Sequence, residues 1–131
     1  MTFARRCFFG IPVALIFVGL LASAASAHAA FESATPEDGS TNDAPVAEVQ
    51  LTFTGPVQPT GAGFEAFDGV GAIRSPQTQL SEDGATWILT FDPPLVGLVG
   101  VRWEVNAPDA HPFTGAISFE ARAEVAAPLP S

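Results

Sequence analysis

The most constraining feature of this sequence is a two-residue alternation of apolar and polar side chains that recurs in short runs. In residues 48–53 the apolar side chains of Val49, Leu51 and Phe53 occupy every second position, which places them on one face of an extended strand. The same alternation returns in residues 101–106. Residues 117–122 repeat it again, and helical periodicity is absent from this part of the chain. The pattern therefore predicts an all-β domain.

Further strands are indicated by weaker patterns. Residues 86–91 are apolar on both faces, which is typical of a more central strand. Segments near residues 31–34, 63–67 and 78–80 bring the expected number to about seven, as in a β-sandwich or a small barrel. Because burial must stabilise about 100 residues, a single core of this size is expected.

Turn residues separate the expected strands. Asp-Gly pairs at positions 68–69 and 83–84 predict tight turns, because these residue types tolerate positive φ. Residues 36–39 predict a turn after the first strand. The two prolines within residues 92–94 lack a backbone donor, so we expect the hydrogen-bonded ladder to stop there.

The N-terminal region has the features of an export signal. Two arginines precede an almost wholly apolar run over residues 7–21, and small residues follow at positions 25–27. The run of about 15 residues is shorter than the roughly 20 that a spanning helix needs. We therefore predict a cleaved signal peptide over residues 1–27, a domain over 28–124 and a flexible tail over 125–131, with no part embedded in a membrane after cleavage.

Cleavage changes the composition of the chain. The mature part keeps three arginines, no lysine and all fourteen acidic residues, so the formal charge falls from −9 to −11. Such a surface repels phosphate groups and disfavours nucleic acids and anionic membranes as partners. The mature part also lacks cysteine, so no disulfide stabilises it. Cleavage after Ala24 or Ala29 satisfies the same small-residue rule as cleavage after Ala27.

The mature part contains two histidines. Cleavage after Ala27 makes His28 the first residue, with a free α-amine that can chelate one metal together with the imidazole. His111 follows Asp109 at a spacing of two, and such residues on extended backbone project to the same side. Together these groups offer three nitrogens and one carboxylate oxygen, a donor set that suits tetragonal Cu(II). Zinc accepts similar ligands, but Cu(II) stands higher in the affinity order.

At this point the sequence resembles the CopC family of copper-resistance proteins. Residues 28–40 are similar to the opening of that family, an N-terminal histidine followed by a Ser, Pro and Gly turn, and residues 45–53 resemble its second strand. Residues 101–105 and 109–119 resemble its most specific stretch, Asp-x-His-Pro-x-x-Gly-x-x-x-Phe. The resemblance covers nearly all of the mature part.

The resemblance implies an immunoglobulin-like Greek-key β-sandwich exported to the periplasm. It implies that one Cu(II) ion per chain is bound by the amine and ring of His28, by Asp109 and by His111. It further implies an inner-membrane copper transporter of the CopD type as partner, and a binding protein for copper resistance or homeostasis rather than an enzyme.

Two positions depart from the family pattern. The only methionine is Met1, within the signal, so thioether binding of Cu(I) is excluded and a Cu(II)-only member is expected. Gly55 stands where family members often carry an acidic residue, so any support from that residue must come from elsewhere.

Two other functions fit part of the sequence. A copper-dependent oxidative enzyme also uses an N-terminal histidine chelate, but it needs an open coordination position and a substrate surface. Trp87 and Trp103 lie in alternating strands and are expected in the core rather than on such a surface. A metal-free sandwich acting as an interaction module is the other alternative, with Asp109 and His111 only stabilising a loop.

Overall fold

The computed structural model describes residues 29–109 and 111–124, and all of its regular elements are strands. They are β1 (Phe31–Thr35), β2 (Thr41–Asn42), β3 (Val46–Phe53), β4 (Gln58–Phe67), β5 (Ile73–Arg74), β6 (Gln77–Leu80), β7 (Thr86–Leu95), β8 (Gly97–Asn106) and β9 (Pro112–Ala121). Seven of them have four or more residues, which confirms the expected number, and β2 and β5 have two each. The described residues include no helix that is long and apolar enough to cross a membrane.

The strands form two sheets that pack face to face. One has the order β1-β3-β7-β6 and the other β2-β9-β8-β4-β5. The pairs are antiparallel except for β2, which runs parallel to β9. Among the seven longer strands the chain changes sheets after β3, β4 and β7, and their order, β1-β3-β7-β6 and β9-β8-β4, matches the ABED and GFC sheets of immunoglobulin-like domains. The short strand β2 adds to the edge of the second sheet beside β9, and β5 adds to its other edge beside β4. The structure confirms the Greek-key sandwich and decides against a closed barrel.

The core lies between the sheets and is built by the alternation seen in the sequence. Val49, Leu51 and Phe53 of β3 are almost fully buried, as predicted. The other strands contribute in the same way, with Trp87, Leu89 and Phe91 from β7, Val99, Val101, Trp103 and Val105 from β8, and Ile117, Phe119 and Ala121 from β9. Both tryptophans are therefore core residues. Among the described residues, no polar or charged side chain is buried.

The central strand and the turns also agree with the sequence. β7 has a neighbour on each side, β3 and β6. The Asp-Gly pair at 68–69 closes the turn between β4 and β5, where the Asp68 N–H donates to Ala72 O. The pair at 83–84 closes the turn between β6 and β7. The turn at 36–39 follows β1, with the Ser40 N–H donating to Glu37 O.

The proline segment of β7 differs in part from the expectation. The strand itself continues through Pro93 and Pro94 to Leu95. Its pairing with β3 nevertheless shifts register, since Thr90 pairs with Glu48 and the next pair is Leu95 with Val46. The prolines therefore interrupt the ladder without ending the strand, because their fixed φ is compatible with extended backbone.

Candidate metal centre

Asp109 and His111 lie in the loop between β8 and β9, at one end of the sandwich. The two strands form a long antiparallel pair that begins with Gly97 opposite Ala121 and ends with Asn106 opposite Pro112. Beyond that last pair, the Ala107 N–H donates to His111 O at 3.3 Å. The loop is thus closed at its base by backbone hydrogen bonds, which fix where its two ends lie.

The carboxylate of Asp109 contacts His111 twice. Its Oδ1 accepts the backbone N–H of His111 at 3.1 Å, and its Oδ2 lies 3.3 Å from His111 Nδ1. The Asp109 side chain is 24% exposed, whereas the imidazole is 84% exposed. The carboxylate is therefore sheltered by the loop, and the ring it orients is open to an ion arriving from solvent.

Asp109 and His111 lie close together because of a turn, not because they share one face of an extended strand. Asp109 stands in a turn and His111 just before β9. The backbone N–H of His111 folds back onto the carboxylate two residues earlier, a local arrangement that Asp favours in turns. The predicted convergence is observed, but the turn produces it.

The start of β1 reaches the same end of the sandwich. The Phe31 ring stacks on Trp103 of β8 with centroids 4.8 Å apart and an angle of 27° between the planes. Phe31 also meets Phe53 edge to face, and Phe53 in turn meets Phe113, the second residue of β9. These four rings join the first residue of β1 to the strand that follows His111.

His28 lies outside the described residues, but its neighbours in the chain are placed. Ala29 packs against the hydrophobic core. A Cβ atom added to Gly55 would lie 3.9 Å from the Cβ of Ala29. The position that departs from the family pattern is therefore beside the residue that follows His28.

Asp109 and His111 alone do not make a metal site. Within residues 29–109 and 111–124, no group of three or more His, Cys, Asp or Glu side chains is arranged to hold an ion. A metal site here would need a further donor besides this pair. The start of β1 lies at this end, and the residue that precedes Ala29 is His28.

Exposed apolar side chains bear on the question of a substrate surface. The large exposed hydrophobic residues of the described part are Val70, Ile73, Val96 and Leu98, all aliphatic. Val70 and Ile73 belong to the β4–β5 hairpin, Val96 to the connection from β7 to β8, and Leu98 to the start of β8. This is the end of β8 away from Asp109, so they provide no surface beside His111.

Comparison with known proteins agrees with the resemblance in the sequence. The family model of the CopC domain matches residues 31–122. Copper resistance protein C of Xanthomonas campestris pv. juglandis is 30% identical over 118 residues, which cover 84% of this chain and 92% of that protein. Copper resistance protein C of Pseudomonas syringae pv. tomato is 33% identical over 119 residues, which cover 84% and 94%.

A solved structure shows the same fold. The crystal structure of CopC from Methylosinus trichosporium OB3b superposes with a TM-score of 0.65 at 23% sequence identity. The match covers 75% of this chain and 97% of that one. The two-sheet architecture is thus shared over nearly the whole length of the other protein.

Proposed function

The chain belongs to the CopC family of copper-resistance proteins, and on this premise we propose that its mature form binds one Cu(II) ion through His28, Asp109 and His111. The amine and imidazole of His28 supply two donors, the imidazole of His111 a third and the carboxylate of Asp109 the fourth. We further propose that the protein acts in the periplasm and passes its ion to an inner-membrane transporter of the CopD type.

The contact between Asp109 and His111 is the observation that carries the proposal. A carboxylate oxygen lies 3.3 Å from an imidazole nitrogen, on a loop at the end of the sandwich where β1 begins. Ala29 packs against the core, and the strand that follows it begins at that end, so the chelating histidine would be tethered one residue before a placed part of the chain. Asp109 and His111 supply two donors from one loop, and the chelating His28 supplies the other two.

The chemistry of the donors favours Cu(II) over other common ions. Imidazole nitrogen, amine nitrogen and carboxylate oxygen form a tetragonal N,O set, and Cu(II) leads the divalent first-row ions in affinity. The mature part contains no thiol or thioether for Cu(I). Because the amine and both rings must lose their protons to bind, copper affinity is expected to fall steeply as the solution becomes more acidic.

The N-terminal chelate has a direct test. Protein that begins at His28 is compared with protein carrying one additional alanine before His28, with copper affinity measured by competition against a chelator. The additional residue converts the α-amine into an amide, so we expect much weaker binding. Equal affinity of the two forms would show that the amine is not a ligand.

Loss of either fixed donor should weaken binding in protein that begins at His28. His111→Ala removes a ring nitrogen, and Asp109→Asn removes the carboxylate charge while keeping an oxygen that can accept the His111 N–H. Unchanged copper affinity in both variants, with the fold intact by circular dichroism, would place the site elsewhere.

Processing and transfer need experiments in cells. Mass spectrometry of the exported protein should give a mature form beginning at His28, and a form beginning at residue 25 or 30 would contradict the chelate.

Transfer to a CopD-type transporter predicts a genetic dependence. If that transporter receives the ion, deletion of the gene for the copper-binding protein should alter copper tolerance only in cells that carry the transporter. An equal effect in cells without the transporter would argue against transfer.

A carrier is preferred here to an oxidative enzyme. Trp87 and Trp103 are buried, so neither offers an aromatic platform for a substrate. We expect no catalytic turnover beyond the background of free copper when the loaded protein is given a reductant and oxygen. Sustained oxygen consumption that depends on His28 and on an added substrate would overturn this assignment.

A further inference from the structure

Thr54 holds the backbone of Ala30 by two hydrogen bonds. The Ala30 N–H donates to Thr54 Oγ1 at 2.8 Å, and the Thr54 N–H donates to Ala30 O at 2.8 Å. Thr54 directly follows β3, and Ala30 directly precedes β1. One residue thus binds both polar backbone groups of a position two residues after His28.

This contact lies where the regular ladder is irregular. Phe31 pairs with Phe53, but the register shifts between Phe31 and Ser33. The Ala30 N–H bonds to a hydroxyl rather than to a carbonyl of the neighbouring strand. The side chain of Thr54 therefore extends the hydrogen bonding between β1 and the β3 side of the sheet by one residue towards the N-terminus.

From this geometry we infer that Thr54 is a positioning residue for the N-terminal copper ligand, a role that rests on the proposed copper site. A chelating histidine binds more tightly when the segment that carries it is already ordered, because otherwise the entropic cost of ordering that segment is subtracted from the binding free energy. With Ala30 fixed, one residue separates His28 from the anchored backbone. Part of the N-terminal segment is then already ordered when the domain folds, so copper binding need not include the cost of ordering it.

Thr52, two residues earlier and within β3, provides a matched control. Its hydroxyl lies 3.1 Å from the hydroxyl of Thr86 in β7, so its bond stays within the sheet. Thr52→Val and Thr54→Val each remove one hydroxyl and keep the branched shape. Only the second removes the acceptor for the Ala30 N–H.

The experiment compares four mature proteins that begin at His28: the native protein, Thr54→Val, Thr54→Ser and Thr52→Val. Removal of one hydrogen bond at the anchor should weaken Cu(II) binding roughly 2- to 10-fold in Thr54→Val. Thr54→Ser keeps the hydroxyl and should restore native affinity. Thr52→Val should bind copper as the native protein does.

A measurement without copper examines the anchor itself. Amide proton exchange of Ala30, followed by NMR in the metal-free proteins, should accelerate in Thr54→Val and remain native in Thr54→Ser and Thr52→Val. Thermal unfolding of the same samples separates a local release of Ala30 from a general loss of stability. A local release accelerates exchange at the Ala30 amide and leaves the Tm close to that of Thr52→Val.

The outcomes distinguish this inference from the proposed function. No tight copper binding by the native protein would remove the copper site and the positioning role together. Tight binding by the native protein with equal affinity in Thr54→Val would overturn the positioning role alone. If Thr52→Val weakened copper binding as much as Thr54→Val, the loss of affinity would come from a general loss of strand stability, and the positioning role of Thr54 would be overturned.

Discussion

Gly115 lies opposite Trp103 in the pairing of β8 with β9, and the indole packs against it. A Cβ atom at position 115 would lie 2.8 Å from Trp103 Nε1 and closer still to ring carbons of the same side chain. Phe31 stacks on the same indole. The missing side chain of Gly115 therefore makes room for the ring on which the start of β1 rests.

Gly115→Ala should destabilise the protein by overpacking. The ring and the strand must move apart, and extra carbon atoms in a packed core cost about 1–3 kcal/mol. Urea unfolding measures the loss. The control is Gly100→Ala, where the nearest atom to the added Cβ is Phe67 Cδ2 at 3.9 Å, an ordinary contact. A loss of stability in the control as large as in Gly115→Ala would contradict the account.

The sequence revealed the proposed ligands better than it revealed the residues around them. Asp109 and His111 stand close in sequence, and their residue types already indicate metal binding. Thr54 and Phe31 carry no such chemical signal, because a hydroxyl and a phenyl ring are common in strands. Only the pairing of β1 with β3 shows that Thr54 and Phe31 hold the segment that follows His28 in the chain.

β3 is the element in which sequence and structure agree most directly. Its inward residues are buried and its outward residues form the solvent side of the sheet. Leu51→Ala should therefore reduce the free energy of unfolding by about 2–5 kcal/mol, since Leu51 is fully buried. The control Glu48→Ala, on the outward face, should change it by no more than about 0.5 kcal/mol. Chemical unfolding of both variants gives the comparison, and similar losses would show that the alternation does not define the core.

The turn between β6 and β7 contains a carboxylate with a perturbed acidity. The Ser81 hydroxyl and the Ala85 N–H both donate to Asp83 Oδ1. These bonds favour the charged form and lower the pKa of Asp83 below its ordinary value of 3.8, with the serine bond as the larger cause. The contribution of this turn to stability is therefore complete above pH 3.8, and it is lost as the pH falls through the lowered pKa.

An NMR titration of the Asp83 carboxyl carbon should show a midpoint below 3.8. Ser81→Ala removes the larger stabilising bond, so the pKa of Asp83 should move back towards the ordinary value. Ser33→Ala, an exposed serine of β1, serves as the control and should leave the titration unchanged. A native midpoint in Ser81→Ala would assign the shift to another cause.

The lengths of the elements were less predictable than their existence. β8 begins at Gly97, four residues before the predicted start at residue 101. The sequence did not predict this extension, because the four residues include two glycines and an exposed leucine and lack a clear apolar face. β9 begins at Pro112, and a proline resembles a loop residue until its pairing with Asn106 is known. The two-residue strands β2 and β5 exist only through their partners, so no local pattern could reveal them.

The molecule as a whole separates its two ends. β8 spans ten residues from Gly97 to Asn106, so its ends are roughly 30 Å apart. Asp109, His111 and the start of β1 lie at one end, and the exposed aliphatic side chains of Val96 and Leu98 at the other. The negative charge of the chain favours the approach of a cation to either end, but within the described residues only the first end combines that charge with an imidazole.

Copper should therefore stabilise the whole fold most strongly when the chain begins at His28. An ion that binds the folded state alone adds about 2.7 kcal/mol when its free concentration is a hundred times the dissociation constant. For a domain of about 100 residues this corresponds to a rise in Tm of roughly 10 °C or more. The form with an additional alanine before His28 lacks the amine donor, so its Tm should rise much less in the same chelator-buffered copper. Differential scanning calorimetry of both forms, with and without copper, measures the difference, and equal rises would mean that the ion stabilises the fold from a site that does not use the N-terminus.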